Sequence, residues 1–280
     1  MTRLYRLTRK LALGGVVLML LLACVSAYLR LSAAGIGCAP WPACYDHPVM
    51  GQQHHPVARL AHRLLASTLG LVVVMIALTS IAARPRRPDV IAPAFAALAL
   101  TLMLAGLGSV SSTGAAVGVS LANLLGGMAL AALLWWLALR AGLTSSQVPS
   151  ASRWLAAAVL ALVVIQLALG ALLSTTHVAS ECPSVLLCPS SASDLAAALH
   201  VFHRVIAITL ATATGALAVH LIRRRDRAAR AALMLAALVV FQAGIGALMM
   251  MLDFPLWLAL VHNAAALLVL LSTVWVLAGS

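Results

Sequence analysis

Charge is what this 280-residue chain has least of: 9% of its residues are charged, and only six of those are Asp or Glu. A soluble domain carries about a quarter charged residues. No aqueous fold hides so apolar a chain, since 64% of it is hydrophobic and its mean hydropathy is +1.08. Alternation of apolar and polar residues is missing too. That excludes a spanning β-barrel, whose strands need a period of two. What is there instead is long unbroken runs of Leu, Ala and Val, the composition of a helical membrane protein.

Runs of about 20 apolar residues cross the hydrocarbon core. The sequence predicts them at 11–31, 58–82, 90–111, 118–140, 154–176, 196–222, 230–252 and 255–278. The first run follows a basic stretch like that of a signal peptide, but no small-residue cleavage site clearly follows it, so it reads as a retained helix. The net charge of +12 is a topology signal. With the N-terminus inside, 14 of the 18 Lys and Arg residues fall in inner segments. Only Arg30, Arg59, Arg63 and Arg204 fall outside, close to helix ends. Both termini are therefore assigned to the cytoplasm, and a nucleic-acid partner is not expected.

The chain repeats itself. Cys38 and Cys44 precede His62 and Arg63; Cys182 and Cys188 precede His203 and Arg204. The cysteines recur after 144 residues and the His-Arg pair after 141, with the same C-x5-C spacing in both halves. Each half holds an even number of spans, so both share one orientation, related by a pseudo-twofold axis along the membrane normal. The expected fold is an all-α integral membrane protein of eight transmembrane helices, built as two four-helix bundles. Residues 1–143 form the N-terminal half, 144–153 a cytoplasmic linker and 154–280 the C-terminal half.

Several residue sets can carry chemistry, each with a plain structural reading beside it. The cysteine spacing permits disulfides Cys38–Cys44 and Cys182–Cys188, as loop staples, as a redox-active pair, or in place of either a metal site. Cys24, inside the first helix, reads as a small core residue. His62, His203 and His262 are ionisable groups at membrane depth, which is costly and points to function. Each is either an interhelical hydrogen-bonder or an axial ligand to haem iron, for which helical bundles are a frequent scaffold. His203 with His262 is the best pair. Arg63 and Arg204 suit haem propionates, or anchor the helices at the interface by snorkelling. His200 lies one turn before His203; His47, His54 and His55 belong to the first outer loop. His220 stands roughly 25 Å along its helix from His203 and belongs to no shared site. Glycines at Gly126, Gly127, Gly244 and Gly246 permit close helix or porphyrin approach.

Together these elements resemble the haem A synthases, over nearly the whole chain. The resemblance is carried by Leu29, Arg30 and Leu31 leading to Gly37, Cys38, Pro40, Trp41, Cys44 and Tyr45, then by His62-Arg63. It continues through Asn123 with Gly126 and Gly127, Gln166 with Gly170, His203-Arg204, Gln242 with Gly246, and His262-Asn263. It implies conversion of haem O to haem A, a ring methyl becoming a formyl group with water and electron transfer, for terminal oxidase biogenesis. It implies haem b between His203 and His262, and a substrate haem in the N-terminal half at His62. It implies a bacterial inner membrane and delivery of haem O by a haem O synthase; the sequence leaves the oligomeric state open, a homo-oligomer included.

The chain departs from that pattern at two places. Arg59 stands one turn before His62, where the resemblance implies a glutamate. Asn123 stands where it implies the second histidine, 139 residues before His262. A guanidinium opposes developing positive charge, and an amide is a poor iron ligand. The second reading is therefore a non-catalytic haem-b-binding homologue acting in oxidase assembly, haem transfer or electron transfer. A third is a transporter or quinone-linked redox protein on the same repeat.

Overall fold

The computed structural model describes residues 3–33, 56–111, 117–142, 151–184 and 187–279. Among them are eight α-helices, each long and apolar enough to span a membrane. In chain order they are α1 (Arg3–Ala33), α2 (Pro56–Ala82), α3 (Pro88–Ser111), α4 (Val117–Gly142), α5 (Ala151–Thr175), α6 (Asp194–Arg223), α7 (Ala229–Met251) and α8 (Leu256–Gly279). A 3₁₀ turn, Ala179–Glu181, lies between α5 and α6. The chain is a multi-pass membrane protein. Its outward faces agree: Leu71, Leu102, Ile208 and Val240 are each 65–70% exposed, which suits hydrocarbon rather than water.

Several boundaries differ from the sequence expectation by a few residues, and three of them have a local reason or consequence. α1 starts at Arg3 rather than near residue 11, so the basic stretch is helical. Arg and Lys are good helix formers, and hydropathy alone does not count them. α5 begins at Ala151 and absorbs the end of the expected linker. α6 begins at Asp194, because the Ser193 hydroxyl accepts from the Ala196 amide at 3.2 Å and caps it there.

In the first four helices α1 packs on α2 and α4, and α3 on α2 and α4. The second four repeat this, with α5 and α7 each packed on α6 and α8. The even-numbered helices of each set therefore face one another across a diagonal. The sets meet along a seam of α1 and α4 against α8, with α4 also touching α5. One apolar core runs through both, from Val16, Leu130 and Leu134 to Leu217, Leu235 and Leu267. Polar side chains in it bond locally or to each other. Thr8 donates to Thr79 at 3.0 Å between α1 and α2, and Thr214 and Thr273 return to their own helices.

Two ends of the molecule can be named by their residues. At the arginine end, Asp89 pairs with Arg87 at 2.7 Å and with Arg140 at 3.1 Å. Arg87 also donates to the Arg140 carbonyl at 3.0 Å and lies over the Tyr5 ring. This cluster ties the start of α3 to the end of α4. The cysteine end carries the α1–α2 and α5–α6 connections. Cys38, Cys44, His47, His54 and His55 lie outside the described residues.

Cys24 is not a core residue. It is exposed, on a stripe of α1 shared with Val17 and Leu21, which are 56% and 50% exposed. Their spacing of four and three residues places them on one face, turned away from α2, α4 and α8.

Candidate functional site

The second bundle brings two imidazoles together from diagonal helices. His203 lies nine residues into α6 and His262 six residues into α8, and the two are within electrostatic range of each other. Each is backed by a glycine on the helix between. A methyl group added at Gly170 of α5 would lie 3.2 Å from His203 Cε1. One added at Gly246 of α7 would lie 3.2 Å from His262 Cε1. A Cβ at either place would be tighter than nine in ten such contacts, so the glycines let the rings sit close to the neighbouring backbone.

One turn before each glycine stands a glutamine. The Gln166 amide nitrogen is 3.2 Å from His203 Nε2. Gln242 donates to the His262 main-chain carbonyl at 3.0 Å. The arrangement is the same twice: Gln-x3-Gly on α5 serves the histidine of α6, and Gln-x3-Gly on α7 serves that of α8. Nδ1 of both histidines and Oε1 of both glutamines are buried without hydrogen-bond partners among the described residues. Leaving such atoms unmade costs about 1–3 kcal/mol each. Four such atoms thus lie on the two histidines and the two glutamines beside them.

These residues fit haem. Two imidazoles on facing helices are the donor type that can ligate haem iron, and the glycines make room for the rings themselves. Among the described residues no cluster of three or more His, Cys, Asp or Glu side chains forms. His220 lies 17 residues beyond His203 near the end of α6, remote from it.

The cysteine end of this bundle is closed by a loop fastened to α6. Cys182 and Cys188 form a disulfide, and Cys182 is fully buried against Leu173, Val178, Ala196 and Leu199. Arg204 donates to the Ser184 carbonyl at 2.7 Å, inside the disulfide ring, and reaches Met250 Sδ at 3.7 Å. His200 is buried beside the backbone of Val178 and Ala179. Glu181 accepts from the Ser193 amide at 2.8 Å. That bond, with the Ser193 hydroxyl, holds the Glu181 carboxyl below the usual carboxylate range.

The first bundle is built differently. His62 is half-buried on α2, with Arg59 and Arg63 exposed on the same helix. Asn123 is half-buried on α4, the diagonal helix. A methyl at Gly126, one turn from Asn123, would meet Leu104 Cδ2 at 2.8 Å. Leu104 thus fills the notch beside Gly126 from α3. It stands four residues before Gly108, as Gln242 stands four before Gly246. Where the second bundle has an amide beside its histidine helix, the first has an apolar side chain.

Residues 9–274 match the family described as Cytochrome oxidase assembly protein. The chain belongs to that family. It is 29% identical to the heme A synthase of Shewanella oneidensis, over 92% of this chain and 92% of that relative.

In the sequence, Gln166, Gln242 and Gly170 stand out only through the resemblance, and Gly246 only as one of several small residues. The signal was present as two copies of Gln-x3-Gly, 76 residues apart. Gly244, by contrast, has nothing within 4 Å of an added methyl. Arg30 donates to Asn263 at 2.9 Å across the seam, a contact that the sequence does not signal.

Proposed function

We propose that this chain is a haem A synthase-type oxidoreductase that converts haem O to haem A in a bacterial inner membrane. The carrying observation is the glycine-backed, glutamine-flanked imidazole pair of His203 and His262. His203 and His262 would hold a haem b. That group supplies one-electron redox chemistry when bound. Gly170 and Gly246 admit the rings, Gln166 orients His203, and Gln242 fixes the His262 backbone. Arg204, now engaged with a loop carbonyl, is the proposed propionate partner at the mouth.

The substrate haem O belongs to the first bundle, on His62, with Arg63 beside it and Asn123 opposite. A single histidine leaves a coordination position open. Oxidation of the methyl to a formyl group draws oxygen from water and passes electrons to an acceptor. The family description and the S. oneidensis relative support this reading, as does the positive charge at the arginine end for cytoplasmic termini. A haem O synthase is the proposed supplier of substrate.

Arg59 and Asn123 favour a second reading, a haem-b-binding homologue that serves oxidase assembly without the oxidation. Haem extraction and chromatography from cells co-expressing this chain with a haem O supply separate the two. Haem A, or its hydroxylated precursor, supports the enzyme; unchanged haem O beside haem B, with the protein well expressed, supports the homologue. For the ligands, His203→Ala or His262→Ala should abolish the low-spin haem spectrum. Retention of that spectrum in either variant overturns the ligand assignment.

A further inference from the structure

The two bundles share a polar contact one residue from a proposed iron ligand. Arg30, near the cysteine end of α1, donates through Nη2 to Asn263 Oδ1 at 2.9 Å. Asn263 donates its own amide to the Ala259 carbonyl at 2.8 Å. That second bond settles which way the amide points, its oxygen toward Arg30. The pair sits among apolar residues of the seam: Ala27, Leu31 and Ala259 are 2%, 6% and 5% exposed, with Met249, Leu256 and Leu260 packed on them. An arginine at this depth has a cheaper option, since its long stem lets the charged head reach the interface. The Asn263 bond is one contact that keeps it in the seam instead.

His262 and Asn263 are adjacent on α8, and successive helical side chains diverge by about 100°. His262 faces Gly246 in the second bundle, while Asn263 faces α1 of the first. The guanidinium is thus bound to the residue that follows His262. No equivalent exists at the repeat-related place: the mate of Arg30, 144 residues on, is Ser174, and the residue after Asn123 is Leu124.

We propose that Arg30 and Asn263 are positioning residues that hold a positive charge beside the second bundle's haem and so raise its reduction potential. This rests on the proposed ligation by His203 and His262. A ferric haem carries one more positive charge than a ferrous one, so a nearby guanidinium disfavours the oxidised form, most strongly where apolar neighbours exclude water. Asn263 carries no charge itself; it keeps the charge from swinging out to the interface.

Redox titration of the purified haem-loaded protein tests this, with the visible spectrum read at each potential. Arg30→Gln should lower the midpoint potential with the low-spin spectrum retained. Asn263→Leu should lower it by less, because the charge is released rather than removed. Arg30→Lys should stay near the wild type. In the double variant, Asn263→Leu should add nothing to Arg30→Gln, since the amide acts only through the guanidinium. An unmoved potential in Arg30→Gln overturns the proposal. So does an equal Asn263→Leu shift with and without Arg30. If Arg30→Gln yields no folded protein, Asn263→Leu against Arg30→Lys carries the same test, and matching potentials in those two overturn it. Absence of low-spin haem from the wild type, or its survival in His203→Ala, instead strikes at the haem ligation.

Discussion

Gly170 and His203 are packed so that a single added methyl would stand 3.2 Å from the ring. That is tighter than an ordinary side-chain contact. Gly170→Ala therefore makes the imidazole give way by a few tenths of an ångström, an overpacking that costs about 1 kcal/mol. The expected result is roughly a two- to tenfold loss of haem retention, read as Soret absorbance per protein after detergent washing. Gly246→Ala should act alike through His262. Gly244→Ala, with open space around it, should leave retention unchanged and serves as the control.

Gln166 raises a separate expectation. Its amide lies 3.2 Å from His203 Nε2. Gln166→Leu removes that polar neighbour while keeping bulk. The ring then loses its fixed orientation, and haem should load more slowly and with a mixed-spin spectrum. Stopped-flow reconstitution of the apoprotein with hemin checks this; an unaltered rate and spectrum would remove Gln166 from the site.

Much of the fold was legible because its signal is one-dimensional. Apolar runs long enough to span a bilayer announce themselves in hydropathy, and all eight became helices. The start of α1 was missed because helix propensity and hydropathy disagree at Arg3 to Lys10, and the start of α6 because a cap is a hydrogen bond, not a composition. The candidate site was half legible. His203 and His262 stand out as ionisable groups in apolar helices. The glycines that admit their rings, and Arg30 against Asn263 at a separation of 233 residues, become meaningful only when packing brings distant helices together.

The arginine end supports a stability prediction. Asp89 joins Arg87 and Arg140 with a third of its side chain exposed. Exposed pairs of this sort are worth up to about 1 kcal/mol each. Asp89→Asn should lower the thermal midpoint in detergent by a few degrees without altering the haem spectrum, since it lies at the opposite end from His203. A changed spectrum would mean that the two ends are coupled.

Glu181 gives a pH dependence. The Ser193 amide and hydroxyl depress its pKa. A depressed carboxylate stabilises the fold above its unfolded pKa, and that contribution is lost as pH falls through the folded one. Fastening of the loop to α6 should therefore persist at neutral pH and weaken only below the usual carboxylate range. Hydrogen exchange at the Ser193 amide reads this directly. Glu181→Gln should remove the pH dependence of its protection.

The first bundle offers the most consequential variant. Arg59 places a positive charge one turn from His62, which would oppose positive charge developing on a porphyrin bound there, and Asn123 on the diagonal helix would be a weak iron donor. If the bundle still hosts substrate, these two residues limit the reaction rather than create it. Arg59→Glu combined with Asn123→His should then raise haem A formation severalfold in cells supplied with haem O, measured by chromatography of extracted haem. Neither single change should suffice, because charge stabilisation and iron ligation are separate requirements. Leu104 sets a further condition, since it fills the notch at Gly126 that a larger ligand ring on α4 would approach. Leu104→Ala added to the pair should increase the gain. A fall in haem A on Arg59→Glu with Asn123→His would show instead that the present residues are the working ones.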